Sequence, residues 1–242
     1  MLTKDIINKA GRKNTFNISE SLEEKEEIMP FVRPINQFLD IMGDMSAEPA
    51  AKDDNIRLAH VLETEMTNGI IDISSMPNKE VQYVPAGAKK GIQLRLSSAV
   101  VTELSPLILM LKHKKQIKRL YYEEPEMCLH PQLQYKMGRM LGRIVNSKIG
   151  MVITTHSDII LQHINCMIKL AKRDDCQEIC EKLEYTPVDL LSHEKIRVYQ
   201  FRAKSRGKTE VEELFCGEEG FCVPTFNDAL EEIMSQAYEI QG

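Results

Sequence analysis

The chain has 242 residues, of which 43% are apolar and 28% charged, and its net charge is -5. These totals are ordinary for a globular protein with one large or two modest domains. The acidic balance excludes a global attraction to nucleic acid, so any such contact would need a local basic patch. No apolar run reaches membrane-spanning length and no signal-type block opens the sequence, which predicts a cytoplasmic protein without membrane contact.

The first part of the chain predicts helices followed by a small antiparallel sheet. Residues 1–30 are polar and predict one helix and a linker. Apolar residues then recur at helical spacing, and three short segments alternate in the manner of half-exposed strands. The predicted helices cover 31–42 and 50–67, and the predicted strands cover 70–73, 80–84 and 91–95.

The second part predicts helices that alternate with strands. A helix opened by Ser97 and Ser98 leads through a basic loop to a strand-helix-strand unit, whose crossover is long enough for parallel pairing. Both strands are short apolar runs, which favours burial. The remaining predictions are helices over 159–171, 173–183 and 226–240, and a hairpin of 197–202 with 210–214.

These elements divide the chain into three predicted parts. Residues 1–30 form a polar segment and linker, residues 31–95 a helical and antiparallel subdomain, and residues 96–242 an α/β lobe. The six cysteines form no Cys-x-x-Cys pair, so we expect reduced thiols. A zinc site from His163, Cys166, Cys176 and Cys180 is the alternative to simple packing of these side chains.

The first strand of the lobe ends at two adjacent carboxylates, Glu123 and Glu124. Parallel sheets bind ligands at the carboxyl ends of their strands, and this pair suits a magnesium–phosphate site. Nucleotide hydrolysis needs one carboxylate in the metal shell and one group that orients or deprotonates the attacking water. Neighbouring strand side chains point to opposite faces, but at a strand end both can reach one pocket. A solvated Glu-Glu turn is the alternative.

Two further features can bind phosphate. His156 follows the neighbouring strand, where an imidazole can hydrogen-bond a terminal phosphate or the attacking water. Ser97 and Ser98 stand at a helix N-terminus, where hydroxyls, free N–H groups and the helix dipole attract phosphate. Taken singly, the histidine also fits a buried turn and the serines also fit a simple N-cap.

The three features occur in an order that resembles the prokaryotic AAA-family ATPases of the ABC class, including OLD-type ATPases. The resemblance covers about Ile35 to Gly242 and is strongest between Arg95 and Asn165. It rests on Leu96-Ser97-Ser98-Ala99-Val100-Val101-Thr102-Glu103-Leu104-Ser105-Pro106-Leu107, on Tyr121-Tyr122-Glu123-Glu124-Pro125-Glu126-x-x-Leu129-His130-Pro131, and on Val152-Ile153-Thr154-Thr155-His156-Ser157-Asp158.

The resemblance implies a P-loop-NTPase-like fold and roles for six residues in the binding of ATP and Mg²⁺. Glu123 would support Mg²⁺ through its water shell, Glu124 would polarise the attacking water, and His156 would contact the γ-phosphate. The remaining three would serve a dimer that sandwiches two nucleotides. Ser97 and Ser98 would complete the nucleotide site of the partner subunit, and His130 would lie at the dimer interface.

One expected motif is missing from the sequence. Such ATPases grip phosphate with a Gly-x-x-x-x-Gly-Lys-Ser/Thr loop, and this chain has none. Gly207-Lys208-Thr209 lacks the first glycine and falls in the predicted hairpin. We therefore expect the C-terminal lobe of a larger ATPase, from a split or truncated gene, which pairs with a chain that supplies the P-loop.

The resulting hypothesis is an ATPase lobe, with parallel core strands flanked by helices and an antiparallel appendage, that acts in genome maintenance or phage defence. The alternative is a non-catalytic half that serves as an interaction module. A metal nuclease built on Glu123, Glu124 and Glu126 is a third reading, weakened by the lack of a further Asp-x-Asp cluster. A basic loop, 112–118, could contact nucleic acid, although a solvated linker is the simpler interpretation.

Overall fold

The computed structural model describes residues 41–43, 45, 48–49, 51–73 and 80–241, except for the side chains of 206, 225–230 and 241. The predicted segment 1–30 and most of the predicted helix 31–42 lie outside the described residues. Residues 41–43, at the end of that helix, are helical.

Helices and strands follow each other closely in the order that the sequence predicts. The helices are α1 (Asp53–Leu62), α2 (Ala99–His113), α3 (Pro131–Asn146), α4 (Asp158–Leu170), α5 (Cys176–Leu183) and α6 (Pro224–Gln241). The strands are β1 (Gly69–Ile73), β2 (Val81–Pro85), β3 (Ile92–Gln93), β4 (Arg119–Glu123), β5 (Gly150–Thr154), β6 (Val198–Ala203), β7 (Thr209–Leu214), β8 (Cys216–Gly217) and β9 (Gly220–Phe221). The last short pair, β8 and β9, was not predicted.

The antiparallel sheet predicted in the first half is confirmed. Strand β2 lies between β1 and β3 and is antiparallel to both. Buried and exposed residues alternate along β1, as expected for a sheet with one covered face. The third strand is shorter than predicted because the chain turns into a 3₁₀ helix at Leu94–Leu96.

The parallel core pair is also confirmed. Strands β4 and β5 are parallel neighbours, and Glu123 lies opposite Thr154 at their carboxyl ends. Helix α3 makes the crossover, beginning at Pro131, whose fixed φ suits the first helical position. The predicted mixed α/β fold, with parallel core strands, helices and antiparallel additions, is therefore confirmed.

The prediction that both core strands are buried is wrong for one face of the pair. Leu120 is buried on the covered side, but Tyr121 is 71% exposed and Val152 is 49% exposed on the other. Within the described residues the pair has no further strand beside it. An apolar run reports that a strand is hydrophobic, and it does not say whether both faces are covered by the same chain.

One hydrophobic core joins the helices to the sheets. Its buried members extend from Met45 through α1, α2, α3 and α4 to Phe221. Helix α3 packs closely on α4, and a side chain at Gly138 would come within 3.1 Å of His163 Nδ1. The predicted division at residue 95 stays a prediction. No helix in the described part of the chain is long and apolar enough to cross a membrane.

A buried ion pair fixes the π-helical turn Glu63–Thr67, which directly follows α1, to β1 and α2. The buried Glu63 carboxylate accepts a hydrogen bond from Ile71 N at 2.7 Å and from Lys112 Nζ at 2.9 Å. Lys112 Nζ also donates to Ile71 O at 2.8 Å. Lys112 lies in the last turn of α2, so its predicted place in a basic loop is wrong.

A second buried carboxylate holds the segment after α5 against α3. Asp189 is fully buried and accepts hydrogen bonds from Arg139 at 2.8 Å, Arg143 at 2.5 Å and Thr186 at 2.7 Å. Burial alone would raise the pKa of Asp189, but these hydrogen bonds outweigh it and hold the pKa well below its usual range. The interaction fixes the orientation of α3, the crossover helix of the core pair.

The Glu63–Lys112 pair gives the first testable prediction. Glu63→Gln leaves the Lys112 ammonium without its buried counter-charge, and breaking such a pair costs about 3 kcal/mol. We expect the free energy of unfolding to fall by that amount in denaturant titrations. Glu178→Gln, at an exposed carboxylate of α5, is the matched control and should change stability by less than about 0.5 kcal/mol. Equal stability of the two variants would contradict the assigned role.

Candidate functional site

The carboxyl ends of β4 and β5 form the candidate site. One residue beyond the end of β4, Glu124 N donates a hydrogen bond to Thr154 O at 2.8 Å. The segments that follow β4 and β5 therefore stay together at the end of the sheet. His156 Nε2 then lies 4.0 Å from Glu124 Oε1. The predicted adjacency of the two strand ends is confirmed, and the catalytic roles of the side chains stay predictions.

Both side chains of this pair are open to solvent. The side chain of His156 is 87% exposed and that of Glu124 is 47% exposed. An exposed contact of this length between a carboxylate and an imidazole contributes little to stability, because water surrounds both groups. The pair is therefore placed where a ligand could reach both side chains, and packing does not account for its position.

Glu124 adopts a left-handed backbone conformation with φ of 45°. Residues other than glycine avoid this region at a cost of about 1–2 kcal/mol. The turn ends strand β4, so the strict alternation of strand side chains no longer applies to Glu123 and Glu124. Backbone strain of this kind gathers at functional sites, where the surrounding structure holds it in place.

Glu126 ties the loop after β5 to the turn after β4. Its carboxylate accepts hydrogen bonds from Thr155 Oγ1 at 2.8 Å and from His156 N at 2.5 Å. The backbone of His156 is therefore fixed even though its imidazole is exposed. The sequence pattern suggests Glu126 only as a metal ligand, and this hydrogen-bonding role was not predicted, although its place two residues after the acid pair was the available signal.

Gln134 on α3 extends the same network. Ser157 Oγ donates to Gln134 Oε1 at 2.6 Å, and Gln134 Nε2 donates to Leu129 O at 3.0 Å. Ser157 also caps α4 by accepting a hydrogen bond from Ile160 N at 3.1 Å. Ser157 is therefore the N-cap of α4, and Asp158 is the first residue of the helix. The segment that follows the acid pair and the loop that carries His156 are consequently linked through two independent side chains.

Ser97 and Ser98 lie at the N-terminus of α2. Ser98 caps the helix by accepting a hydrogen bond from Val101 N at 3.4 Å, and Ser97 Oγ donates to Leu94 O at 2.5 Å. Among the hydrogen bonds and ion pairs of the described residues, none links either serine to Glu124 or His156. The structure therefore does not bring the serines into direct contact with the strand-end pair.

His130 caps helix α3. Its Nδ1 accepts a hydrogen bond from Gln132 N at 3.4 Å, and the residue is exposed. It lies six residues after Glu124, on the segment that the hydrogen bonds of Glu126 and Gln134 fix in place. Like the serines, it makes no hydrogen bond to Glu124 or His156 among the described contacts.

The carboxylates fit a hydrated magnesium ion. Glu123 and Glu124 expose oxygen ligands, and Mg²⁺ takes one or two carboxylates together with waters and phosphate oxygens. Both oxygens of Glu126 already accept hydrogen bonds. No three His, Cys, Asp or Glu side chains gather as a metal site in the described ranges. The donors thus suit one hydrated ion better than a three-glutamate nuclease centre.

His163, one of the four residues of the alternative zinc site, is engaged in other contacts. His163 Nδ1 donates to Tyr135 O at 2.6 Å, and its Nε2 lies 2.6 Å from Tyr185 Oη. The Tyr135 ring stacks on the imidazole with centroids 3.8 Å apart. Burial lowers the pKa of His163, which favours the neutral ring. His163 is therefore a packed core histidine.

Comparison with known families identifies the family of this chain. Residues 2–161 match the AAA ATPase domain family, which is more than half of the chain. The chain belongs to this family of ATPases. The sequence resemblance covers about residues 35–242, whereas the family match includes the N-terminal residues and leaves 162–242 outside.

Comparisons with individual proteins add little. No curated protein matches the chain. One similar solved structure comes from work on the structural biochemistry of ATP-driven dimerization and DNA-stimulated activation of SMC ATPases. It is 12% identical, the alignment covers 78% of this chain and 91% of that one, and the TM-score is 0.41. At that score the likeness is too loose to carry an argument about this chain.

The Glu126 contacts lead to a prediction about local stability. Glu126→Ala removes the acceptor of Thr155 Oγ1 and His156 N, and hydrogen bonds to a charged group contribute about 1.5–3 kcal/mol each when buried. Because Glu126 is only partly buried, we expect a total loss near 1–2 kcal/mol. The amide of His156 should exchange with deuterium faster.

Glu123→Ala is the matched control for this variant, since Glu123 is exposed at the same strand end. It should leave the exchange rate of the His156 amide at the parent value. An unchanged rate in Glu126→Ala would show that this carboxylate does not hold the loop.

Tyr122 gives a prediction about alkaline stability. Burial, and then the charges of Glu103 and Glu126, raise the pKa of Tyr122 from 10.0 to about 12. An unfolded tyrosine ionises near pH 10, so the stability that this group contributes is present below pH 10 and is lost as the pH rises toward about 12. Between those values the parent should lose more stability than Tyr122→Phe in thermal melts. Parallel losses would contradict the prediction.

Proposed function

We propose that this chain is the lobe of an ABC-class ATPase of the AAA family, in which hydrolysis of Mg-ATP drives closure of a dimer. The observation that carries the proposal is the 4.0 Å separation of Glu124 Oε1 from His156 Nε2 at the ends of adjacent parallel strands. A carboxylate and an imidazole at this edge of a parallel sheet suit the ligand side of an α/β nucleotide-binding protein.

The strand-end side chains have complementary chemistry for phosphoryl transfer. Glu124 is assigned to orient the attacking water and accept its proton, since its carboxylate is half exposed and stands at the mouth of the site. The His156 ring is assigned to donate a hydrogen bond to the terminal phosphate. Glu126 supports this by fixing the His156 backbone, so that the ring moves only about its own side-chain bonds.

Mg²⁺, when bound, would neutralise charge on the phosphates. Glu123 would hold the ion through its water shell, with Glu124 as its neighbour. This assignment is supported by the exposure of Glu123 at the end of β4, where its oxygens remain available to ligands.

The serine motif is assigned to the nucleotide site of a partner subunit. Support comes from its position, since Ser97 and Ser98 open helix α2 and make no hydrogen bond to the strand-end pair of their own chain within the described residues. His130 is assigned to the same dimer interface. It is exposed at the start of α3, and its neighbours are held in place by Gln134.

The grip on the phosphates is assigned to a second chain. The sequence contains no Gly-x-x-x-x-Gly-Lys-Ser/Thr, whose backbone N–H groups and lysine hold the phosphates in P-loop proteins. The open face of the core pair, with Tyr121 and Val152 exposed, is consistent with further structure packing there. Genome maintenance or phage defence, as in OLD-type ATPases, is the proposed setting.

A non-catalytic interaction module is the second candidate, and the missing P-loop motif favours it. Such a module would keep the site residues but would offer its serine motif to a complete protomer. The two candidates differ in whether Glu124 affects turnover, because only the catalytic one uses its carboxylate on water.

Turnover of Mg-ATP tests both candidates. Phosphate release is measured for the parent and for Glu124→Gln, each alone and mixed with the product of an adjacent reading frame that encodes a P-loop. For the catalytic candidate, we expect the rate of the mixture to fall about 100-fold in Glu124→Gln, because general-base catalysis contributes at least that factor.

Glu178→Gln on α5 is the control and should keep the parent rate. The ATPase proposal fails if Glu124→Gln and the parent turn over equally in the mixture. If the parent has no turnover in either arrangement but the two chains associate, the interaction module is supported instead.

A further inference from the structure

The C-terminal region carries two exposed apolar faces, and they lie beyond the residues that match the ATPase family. One belongs to the hairpin of β6 and β7, the other to helix α6. We propose that the two faces are partners, so that α6 of one copy of this chain docks on the β6–β7 hairpin of a second copy.

The hairpin presents its apolar face to solvent. The strand register places Phe201 opposite Val211, and alternation puts Tyr199 on the same side. These three side chains are between 53% and 68% exposed. The other face of β6 is turned inward, where Gln200 is buried and Val198 packs on the core. A two-stranded hairpin is marginally stable on its own, so an uncovered outer face favours a partner.

Helix α6 is exposed along its second half. Every residue from 231 to 240 is exposed, and the large apolar ones fall on one broad stripe by helical spacing. Its members are 55% to 84% exposed and comprise Ile233, Met234, Tyr238 and Ile240. An isolated helix of this length is barely stable in water, so most of its stability must come from packing of that stripe.

The two faces carry opposite charge, and the hairpin is long enough for the helix stripe. Residues 195–214 hold six Lys and Arg and three Glu, a net charge of +3, within a chain whose total is -5. Residues 224–241 hold four Asp and Glu and no Lys or Arg, a net charge of -4. The stripe of α6 from Ile233 to Ile240 is about 11 Å long, and the six-residue strands, at about 20 Å, are long enough to cover it.

The ion pairs of the hairpin favour a moderately acidic protein helix over a polyanion. Three cations among its described side chains are paired with glutamates, at 3.5 Å for Arg197–Glu213, 3.4 Å for Arg202–Glu212 and 2.5 Å for Lys204–Glu210. A nucleic-acid backbone would have to compete with those carboxylates. An apolar helix stripe with a few carboxylates around it can be attracted by the net charge of +3 that the hairpin keeps after these pairs.

The partner of each face is assigned to a second copy of this chain, because one copy leaves both faces uncovered. In the structure of a single chain the stripe of α6 and the outer face of the hairpin are both exposed. Exchange between two copies covers both pairs of faces at once, in the reciprocal arrangement of a two-fold symmetric dimer. The arrangement concerns residues outside the nucleotide site and needs no nucleotide.

Two single substitutions test the arrangement, with mass measured by light scattering across a dilution series and without nucleotide. Phe201→Asp spoils the hairpin face and Ile233→Asp spoils the helix stripe. We expect the parent to be dimeric and each variant to be monomeric at the same concentration. Both side chains are exposed, so neither variant opens a cavity, and circular dichroism checks that both fold. Ser235→Asp, on the polar side of α6, should behave as the parent does.

A mixture of the two variants separates this arrangement from others. The intact α6 of the Phe201→Asp copy can dock on the intact hairpin of the Ile233→Asp copy, so differently tagged copies should form a heterodimer through one of the two contacts. Val211→Asp and Met234→Asp replace the first pair if either variant misfolds.

Three results would overturn the proposal. The parent could remain monomeric up to about 0.1 mM, Phe201→Asp could still dimerise as the parent does, or the mixture could stay monomeric. Binding of a labelled single-stranded oligonucleotide to a monomeric parent, lost in Phe201→Asp, would assign the hairpin face to nucleic acid instead. Because nucleotide is absent, none of these results depends on whether the chain hydrolyses ATP.

Discussion

The parallel pairing of β4 with β5 is the constraint on which the candidate site depends. Two strand ends that are 31 residues apart in sequence meet because α3 carries the chain back along the sheet in one crossover. Glu124 and His156, which follow the two strands, are therefore neighbours because the strands pair, and no bond between their side chains is needed to bring them together. Asp189, far along the chain, holds α3 through two arginines and so contributes to the same arrangement.

The site combines exposed side chains with a hydrogen-bonded backbone. Glu124 and His156 have exposed side chains, yet the chain beneath them is held by Glu126 and by the hydrogen bond from Glu124 N to Thr154 O. Such a division suits phosphoryl transfer, in which the protein contributes positioning and charge more than covalent chemistry. The network through Gln134 extends this order to the start of α3, where His130 stands.

Much of the fold could be predicted because local signals agree with it. The apolar runs of β4 and β5, the proline at the start of α3 and the cap at Ser157 each indicate their element within a few residues. The predicted neighbourhood of Glu124 and His156 followed from the same unit. What local sequence cannot supply is the partner of a polar side chain far along the chain. Glu63 binds Lys112 at a separation of 49 residues, and Glu126 reaches a loop 30 residues away.

The open face of the core pair was missed for a related reason. Tyr121 and Val152 are as apolar as the residues behind them, and nothing in a short hydrophobic run tells which face a second chain or a further segment covers. The same holds for α6, whose stripe is evident from its spacing while its partner is not. Hydrophobic pattern identifies surfaces that need covering, and the three-dimensional structure identifies the ones that a single chain leaves bare.

The left-handed backbone of Glu124 has a consequence for how this chain would respond to selection. Glycine adopts that conformation freely, so a library screened only for folding and yield should enrich glycine at position 124. A screen that also requires chemistry at the strand end should retain the carboxylate in spite of its conformational cost. The residue recovered at this one position would therefore report which of the two pressures a population of variants has experienced.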